Sequence, residues 1–271
     1  MIDFLSDRDS IPRSFPPRLD HGSMSAAHYP CLFGTRSIDF NCPPGPWHKA
    51  KALADFGNLT SGWNESRAQI CENACRITVC KNALSASGGM IARYDIAHSA
   101  EYSTSFTVRF HEDFEWCTGG KLGPGFFIDD GAAAGGSGSD GKGGSARLCW
   151  HKHKTTGEVY FQVYAYHNDQ AGRYGSCFGR YPAKGSLARG QWYQVTMYVR
   201  SNTGCKTDGC LRVTVDGEEL CDRDMRWTTD DRKRLVSRME FATFRGGATD
   251  DYKSSSDSYI YYDTLKWERI A

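Results

Sequence analysis

A chain of 271 residues, 39% hydrophobic and 13% aromatic, is long enough to bury a sizeable core within one domain. Its formal net charge of +1 excludes the overall basic excess of nucleic-acid or membrane-surface binders, and leaves room for a local basic cleft. No apolar run reaches the length of a membrane span, so no membrane partner and no nucleic-acid partner is expected.

The first residues, MIDFLSDRDS, lack the apolar core of a signal peptide. Residues 1–23, rich in Pro, Arg and Asp, read as a flexible leader or arm, and 24–271 as a single domain. Eleven cysteines nevertheless point to an oxidising compartment, hence to a secreted, extracellular protein. Their odd number leaves at least one thiol free or paired with another chain. The sequons at Asn58 and Asn64 agree with export, although such triplets also arise by chance. From Cys31 to about Ser87 the chain reads as loops and one short helix, pinned by disulfides around Cys71, Cys75 and Cys80. A zinc site there would need paired C-x-x-C spacing and a nearby histidine; no metal is expected.

From Tyr102 onward the periodicity is that of strands. In YSTSFTVRF, Phe106, Val108 and Phe110 share one face, opposite Thr107, Arg109 and His111. SARLCW leads through a turn near Thr156-Gly157 into VYFQVYAYH, a hairpin. QWYQVTMYVR and CLRVTV follow, with Asp216-Gly217 as a further turn signal, and RLVSRMEFATF and SYIYYDTLKW close the chain. The joining stretch SNTGCKTDGC would allow a Cys205–Cys210 disulfide across the ends of a hairpin loop. The expected fold is all-β, an antiparallel sandwich with a loop-rich N-terminal part.

Three candidate sites have plain structural readings. GAAAGGSGSDGKGG lacks the Ser/Thr after its lysine and runs into a strand, so it is a loop rather than a phosphate cradle. In HEDFEW, Glu112 and Glu115 differ by three and would point to opposite sides of a strand. Asp113 and Glu115 share a side, but nothing marks them as a glycosidase acid and base. His151 and His153 form an H-x-H that reads as a polar hairpin tip.

VYFQVYAYH differs from these. Phe161, Val163 and Ala165 suit a core, while Gln162, Tyr164 and Tyr166 occupy the opposite face. If this strand pairs with SARLCW, core face to core face, Ser145 and Arg147 join that polar surface. Upstream, Lys121 lies among glycines in GGKLGPG, where backbone could approach a ligand. A tyrosine-lined sheet exterior is one reading. A guanidinium, an ammonium and two phenols together also suit an anionic, hydroxyl-rich ligand, with acidic polysaccharide the obvious class.

The order GGKLGPGFF, then S-x-R, then Y-x-Y, resembles the catalytic order of polysaccharide lyase family 14. The segment FATFRGGATDDYKSSSDSYIYYDTLKW resembles the closing strands of that family and of related glucuronan lyases. The resemblance covers about Tyr102 to Trp267. It implies a β-jelly roll whose concave sheet holds a uronan, glucuronan or mannuronate-rich alginate, and cleaves it by β-elimination without a cofactor, as a monomer. Lys121, Arg147, Tyr164 and Tyr166 would then be catalytic: Arg147 neutralising the C6 carboxylate, one of the tyrosines acting as base and acid, and Lys121 essential to the same step. Ser145, Gln162, Arg109 and Arg245 would bind substrate. A non-catalytic lectin on the same sandwich would use the same residues without turnover. A glycosidase would need two carboxylates on that face.

Overall fold

Alternation of apolar and polar side chains fixes which face of each strand enters the core, and the strands assemble into two antiparallel sheets. The computed structural model describes residues 32–131, 135 and 141–271. The expected arm at 1–23, Cys31 and most of the Gly-rich insert lie outside the described residues.

In chain order the strands are β1 (Arg36–Ile38), β2 (Gly45–Pro46), β3 (Ala68–Cys71), β4 (Ala74–Val79), β5 (Met90–Ser99), β6 (Glu101–Phe110), β7 (Gly119–Asp129) and β8 (Gly143–Lys152). They continue with β9 (Val159–Tyr166), β10 (Ser176–Tyr181), β11 (Trp192–Arg200), β12 (Gly209–Val215), β13 (Glu218–Met225), β14 (Val236–Arg245) and β15 (Ser258–Arg269). The larger sheet runs β13-β12-β11-β6-β15-β4-β3-β2, with β1 also on β15, and the smaller runs β10-β9-β8-β7-β14-β5.

Phe106, Val108 and Phe110 of β6 face Ala146, Leu148 and Trp150 of β8 and Phe161, Val163 and Ala165 of β9; all nine are buried. Phe110 ties the sheets together, its ring 5.7 Å from Trp150 and 6.1 Å from Phe161. Burying a side chain of this size contributes about 1.5–3 kcal/mol. At Asp216 and Gly217 both φ angles are positive, 52° and 82°, which is the two-residue turn that the Asp-Gly pair signals.

The N-terminal part is more regular than a loop region. Residues 36–79 supply four short strands, one helix (α1, Lys49–Phe56) and a 3-10 turn. α1 docks through Phe56, stacked on Tyr94 at 4.4 Å, and ends at Gly57 in the left-handed conformation, φ 85°. These strands are too short to show periodicity, and β5 lies between the loop region that ends near Ser87 and the strand periodicity that begins at Tyr102.

The expected disulfide pinning is not seen among the described residues. All ten described cysteines are free, including Cys205 and Cys210. Asp208 closes that loop instead, its carboxylate taking the Thr203 backbone N–H at 2.8 Å and hydroxyl at 2.5 Å. Cys205 is exposed and Cys210 is buried at the start of β12. Cys75, near the middle of the expected cluster, is a core residue. No helix among the described residues is long and apolar enough to cross a membrane.

Candidate active site

The outward face of the smaller sheet floors a cleft of about 640 Å3. The register assembles it: Ser145 lies opposite Tyr166, Arg147 opposite Tyr164 and Cys149 opposite Gln162, while Lys121 on β7 lies opposite Cys149. The pairing expected between SARLCW and VYFQVYAYH is therefore the observed one. Lys121, Arg147, Gln162, Tyr164 and Tyr166 all line the cleft; Ser145 is fully buried opposite Tyr166 and does not.

The two phenols form one unit. Their rings meet edge to face at 5.4 Å, and the Tyr164 hydroxyl donates to the Tyr166 oxygen at 3.4 Å. Backbone amides hold the pair: Gly135 donates to the Tyr166 oxygen at 2.7 Å and Gly175 to that of Tyr164 at 3.0 Å. Tyr166 is only 1% exposed. Burial pushes the Tyr164 phenol well above its ordinary value, and the hydrogen bond to Tyr166 adds to this, outweighing the opposite pull of Arg147. Burial and this hydrogen bond therefore oppose the phenolate form of Tyr164.

Lys121 is held differently. Its Nζ sits 4.0 Å from the centre of the Tyr164 ring, a cation–π contact, and makes no hydrogen bond or ion pair with the described residues. Among the catalytic candidates it has the proton-carrying group least committed to the protein.

Arg147 is 2% exposed and lies near both phenol rings, 5.8 and 5.9 Å from their centres. Its Nη1 lies 3.4 Å from Oε1 of Glu240, a carboxylate 1% exposed that also takes the Nε–H of Arg93 at 2.8 Å. Glu240 and Arg93 also line the cleft. Among the described residues the cleft's Arg and Lys side chains outnumber its carboxylates by three to one, so an anionic ligand is favoured. Sequence reasoning missed Glu240, Arg93 and His151. Strand parity already puts His151 on the Arg147 face of β8, whereas only the register of β5, β14 and β7 brings Glu240 and Arg93 there.

Two residues expected to bind substrate are elsewhere. Arg109 is on the larger sheet, its guanidinium 4.4 Å from the Tyr261 ring centre and 2.8 Å from Glu72. Arg245 is fully buried and donates to the carbonyls of Val79 and Glu115, away from the cleft. Parity explains it: Glu240 and Phe244 share the cleft face of β14, and Arg245 takes the other.

The glycines around Lys121 serve packing, and Gly119 and Gly120 also line the cleft. A Cβ at Gly120 would fall 2.1 Å from the Trp150 ring, and one at Gly125 would fall 2.6 Å from Cγ of Arg147. HEDFEW supplies no catalytic pair. Glu115 accepts from the backbone and hydroxyls of Ser255 and Ser256 outside the cleft. His153 accepts the N–H groups of Thr155 and Thr156 at the hairpin tip, as expected.

The comparisons with known proteins converge. The alginate lyase Aly36B is 42% identical, covers 89% of this chain and 98% of its own, and superposes with a TM-score of 0.86. A marine family-14 alginate lyase from Aplysia kurodai is 23% identical over 85% of this chain and 97% of its own, with a TM-score of 0.64. The alginate lyase vAL-1 from Chlorella virus is 20% identical over 79% and 100%, with a TM-score of 0.60. These last two show a shared fold. No curated protein matches the chain. The sequence model of Polysaccharide lyase 14 matches residues 77–265, which reaches further toward the N-terminus than the motifs from Tyr102 onward. Family model and the 42%-identical relative agree on an enzyme: the chain is a polysaccharide lyase and belongs to polysaccharide lyase family 14.

Proposed function

We propose that the chain cleaves 1,4-linked uronans, glucuronan or mannuronate-rich alginate, by β-elimination in this cleft. The observation that carries the reading is Lys121, uncommitted to any described hydrogen-bond partner, beside Arg147 and the amide-held phenol pair. A jelly roll formed by residues 24–271, acting as an exported monomer, is the architecture we attach to it. Family membership and two stacked antiparallel sheets support that choice.

Arg147 pairs with the C6 carboxylate and offsets its charge, so that the C5 proton becomes acidic. The Lys121 Nζ, whose lone pair this step requires, takes that proton. The C5–H electrons form the C4–C5 double bond as the C4–O4 bond breaks, and O4 leaves with a proton. In mannuronate and glucuronate the C5 proton and O4 lie on the same side, so Lys121 can return the proton it took. Tyr164 and Tyr166, bonded to each other and to backbone amides, orient the sugar and donate hydrogen bonds as phenols. A variant of Aly36B with a lysine and a tyrosine replaced by alanine is known in complex with an alginate tetrasaccharide, which agrees with a lysine and a tyrosine at the working centre.

Incubation with glucuronan, mannuronate-rich alginate and guluronate blocks, followed by near-ultraviolet absorbance, tests this reading. Unsaturated ends absorb there. Activity on the first two and little on guluronate, whose C5 is inverted, is expected. Faster cleavage of guluronate blocks than of both others would overturn the single-sided arrangement.

A further inference from the structure

Glu240 on β14 is paired with Arg93 on β5 and with Gly125 on β7. Gly125 offers no side chain there, so Arg147 on β8 extends across β7 and brings Nη1 to 3.4 Å from Oε1 of Glu240. Arg93 gives its Nε–H to the other oxygen, Oε2, at 2.8 Å. One carboxylate, 1% exposed, thus joins two guanidiniums of unequal burial: the Arg147 side chain is 2% exposed and that of Arg93 37%. A buried carboxylate is tolerated only where cations accompany it, and removing one of them leaves its charge poorly compensated.

The elimination asks two things of Arg147: its guanidinium must face the sugar carboxylate, and its charge must be available to offset that carboxylate. Glu240 serves the first, because an ion pair to a residue fixed on a neighbouring strand limits how the guanidinium can turn. It works against the second, since a carboxylate 3.4 Å away competes with the substrate for the same cation. Arg93 removes that conflict. Two guanidiniums less one carboxylate leave a single positive charge, which matches the one carboxylate of a uronate residue. Resting on the uronan reading above, we infer that Glu240 is a positioning residue for Arg147. Arg93 is its charge-balancing partner, acting through Glu240 rather than on the sugar, and so leaves the charge of Arg147 to the substrate.

The test is a double-mutant cycle on folded protein, read as kcat and KM for mannuronate-rich alginate. Arg93→Ala should lower kcat/KM by about 30- to 100-fold, mainly by raising KM, because Glu240 then neutralises Arg147. Glu240→Gln should lower kcat by about tenfold with KM not raised, because Arg147 keeps its charge and loses its orientation. Adding Arg93→Ala to Glu240→Gln should change kcat/KM by no more than about twofold, which leaves the double variant more active than Arg93→Ala alone. Two residues with independent structural roles would instead give losses that add. A further loss of about tenfold or more on adding Arg93→Ala to Glu240→Gln would overturn the proposal, and that comparison stands even if Arg93→Ala alone does not fold. Native protein that yields no unsaturated ends would instead remove the uronan reading beneath it.

Discussion

Gly125 and Arg147 are neighbours across β7 and β8: a Cβ on the glycine would lie 2.6 Å from Cγ of the arginine and 2.5 Å from the Ala146 carbonyl oxygen. The missing side chain creates the lane in which the guanidinium lies. Gly125→Ala should therefore cost about 1–3 kcal/mol of stability from the crowding. It should also lower kcat/KM by about tenfold or more in protein that is still folded, because Arg147 is displaced from the carboxylate it must meet. Thermal unfolding and initial rates on one preparation check this; a folded variant with undiminished kcat/KM would show that the lane does not matter.

Lys121 and the phenol pair should separate in their kinetics. Loss of a general acid–base group commonly lowers turnover by about 10²–10⁴, and Lys121→Ala should fall in that range. Tyr166→Phe keeps the ring but removes the oxygen that accepts from Gly135 and Tyr164, so a smaller loss, about tenfold, is expected. Tyr164→Phe should behave similarly, since its buried phenol carries no negative charge at neutral pH to lose. Rates that fall as far in Tyr166→Phe as in Lys121→Ala would return the proton to the tyrosine.

The alternation in VYFQVYAYH and SARLCW was enough to place Arg147, Gln162, Tyr164 and Tyr166 on one surface, because a period of two leaves no choice of face once one face is apolar. Sequence could not say which sheet an outward residue belongs to. Arg109 sits correctly opposite Phe106 and Val108, but on the larger sheet. Glu240 and Arg93 are more than a hundred residues apart and meet only through the β5–β14 register. A glutamate in MEFATF, next to buried phenylalanines, gives no local sign that two guanidiniums await it.

The cysteines offer a chemical check. All ten described thiols are unpaired, so alkylation of denatured, unreduced protein should label each of them. A reducing agent should leave thermal stability unchanged. A Cys205–Cys210 bridge recovered by non-reducing peptide mapping would contradict the Asp208-closed loop.

Stability should fall in mild acid. Burial holds the His167 imidazole below its ordinary value, against a smaller opposite pull from Asp169, and His151 is lowered in the same sense by burial and by His153. A histidine with a depressed folded-state value contributes stability that is present above the unfolded value, about 6.5, and is lost as pH falls through the folded one. Urea midpoints should decline from about pH 7.5 to about pH 5, and His167→Gln should flatten part of that slope. A slope unchanged in His167→Gln would remove this ring as a source, leaving its bond to Ser176, 2.9 Å, without a titrating role.

The central claim is that this cleft eliminates across C4–C5 of a uronan, with Lys121 carrying the proton. The most direct measurement follows near-ultraviolet absorbance of mannuronate-rich alginate and glucuronan incubated with native protein and with Lys121→Ala. Steady growth of unsaturated ends with the native chain, reduced by about 10²–10⁴ in Lys121→Ala while oligosaccharide binding persists, is the expected result. Native protein that binds these chains without generating absorbance, or Lys121→Ala that generates it at an undiminished rate, would contradict the account.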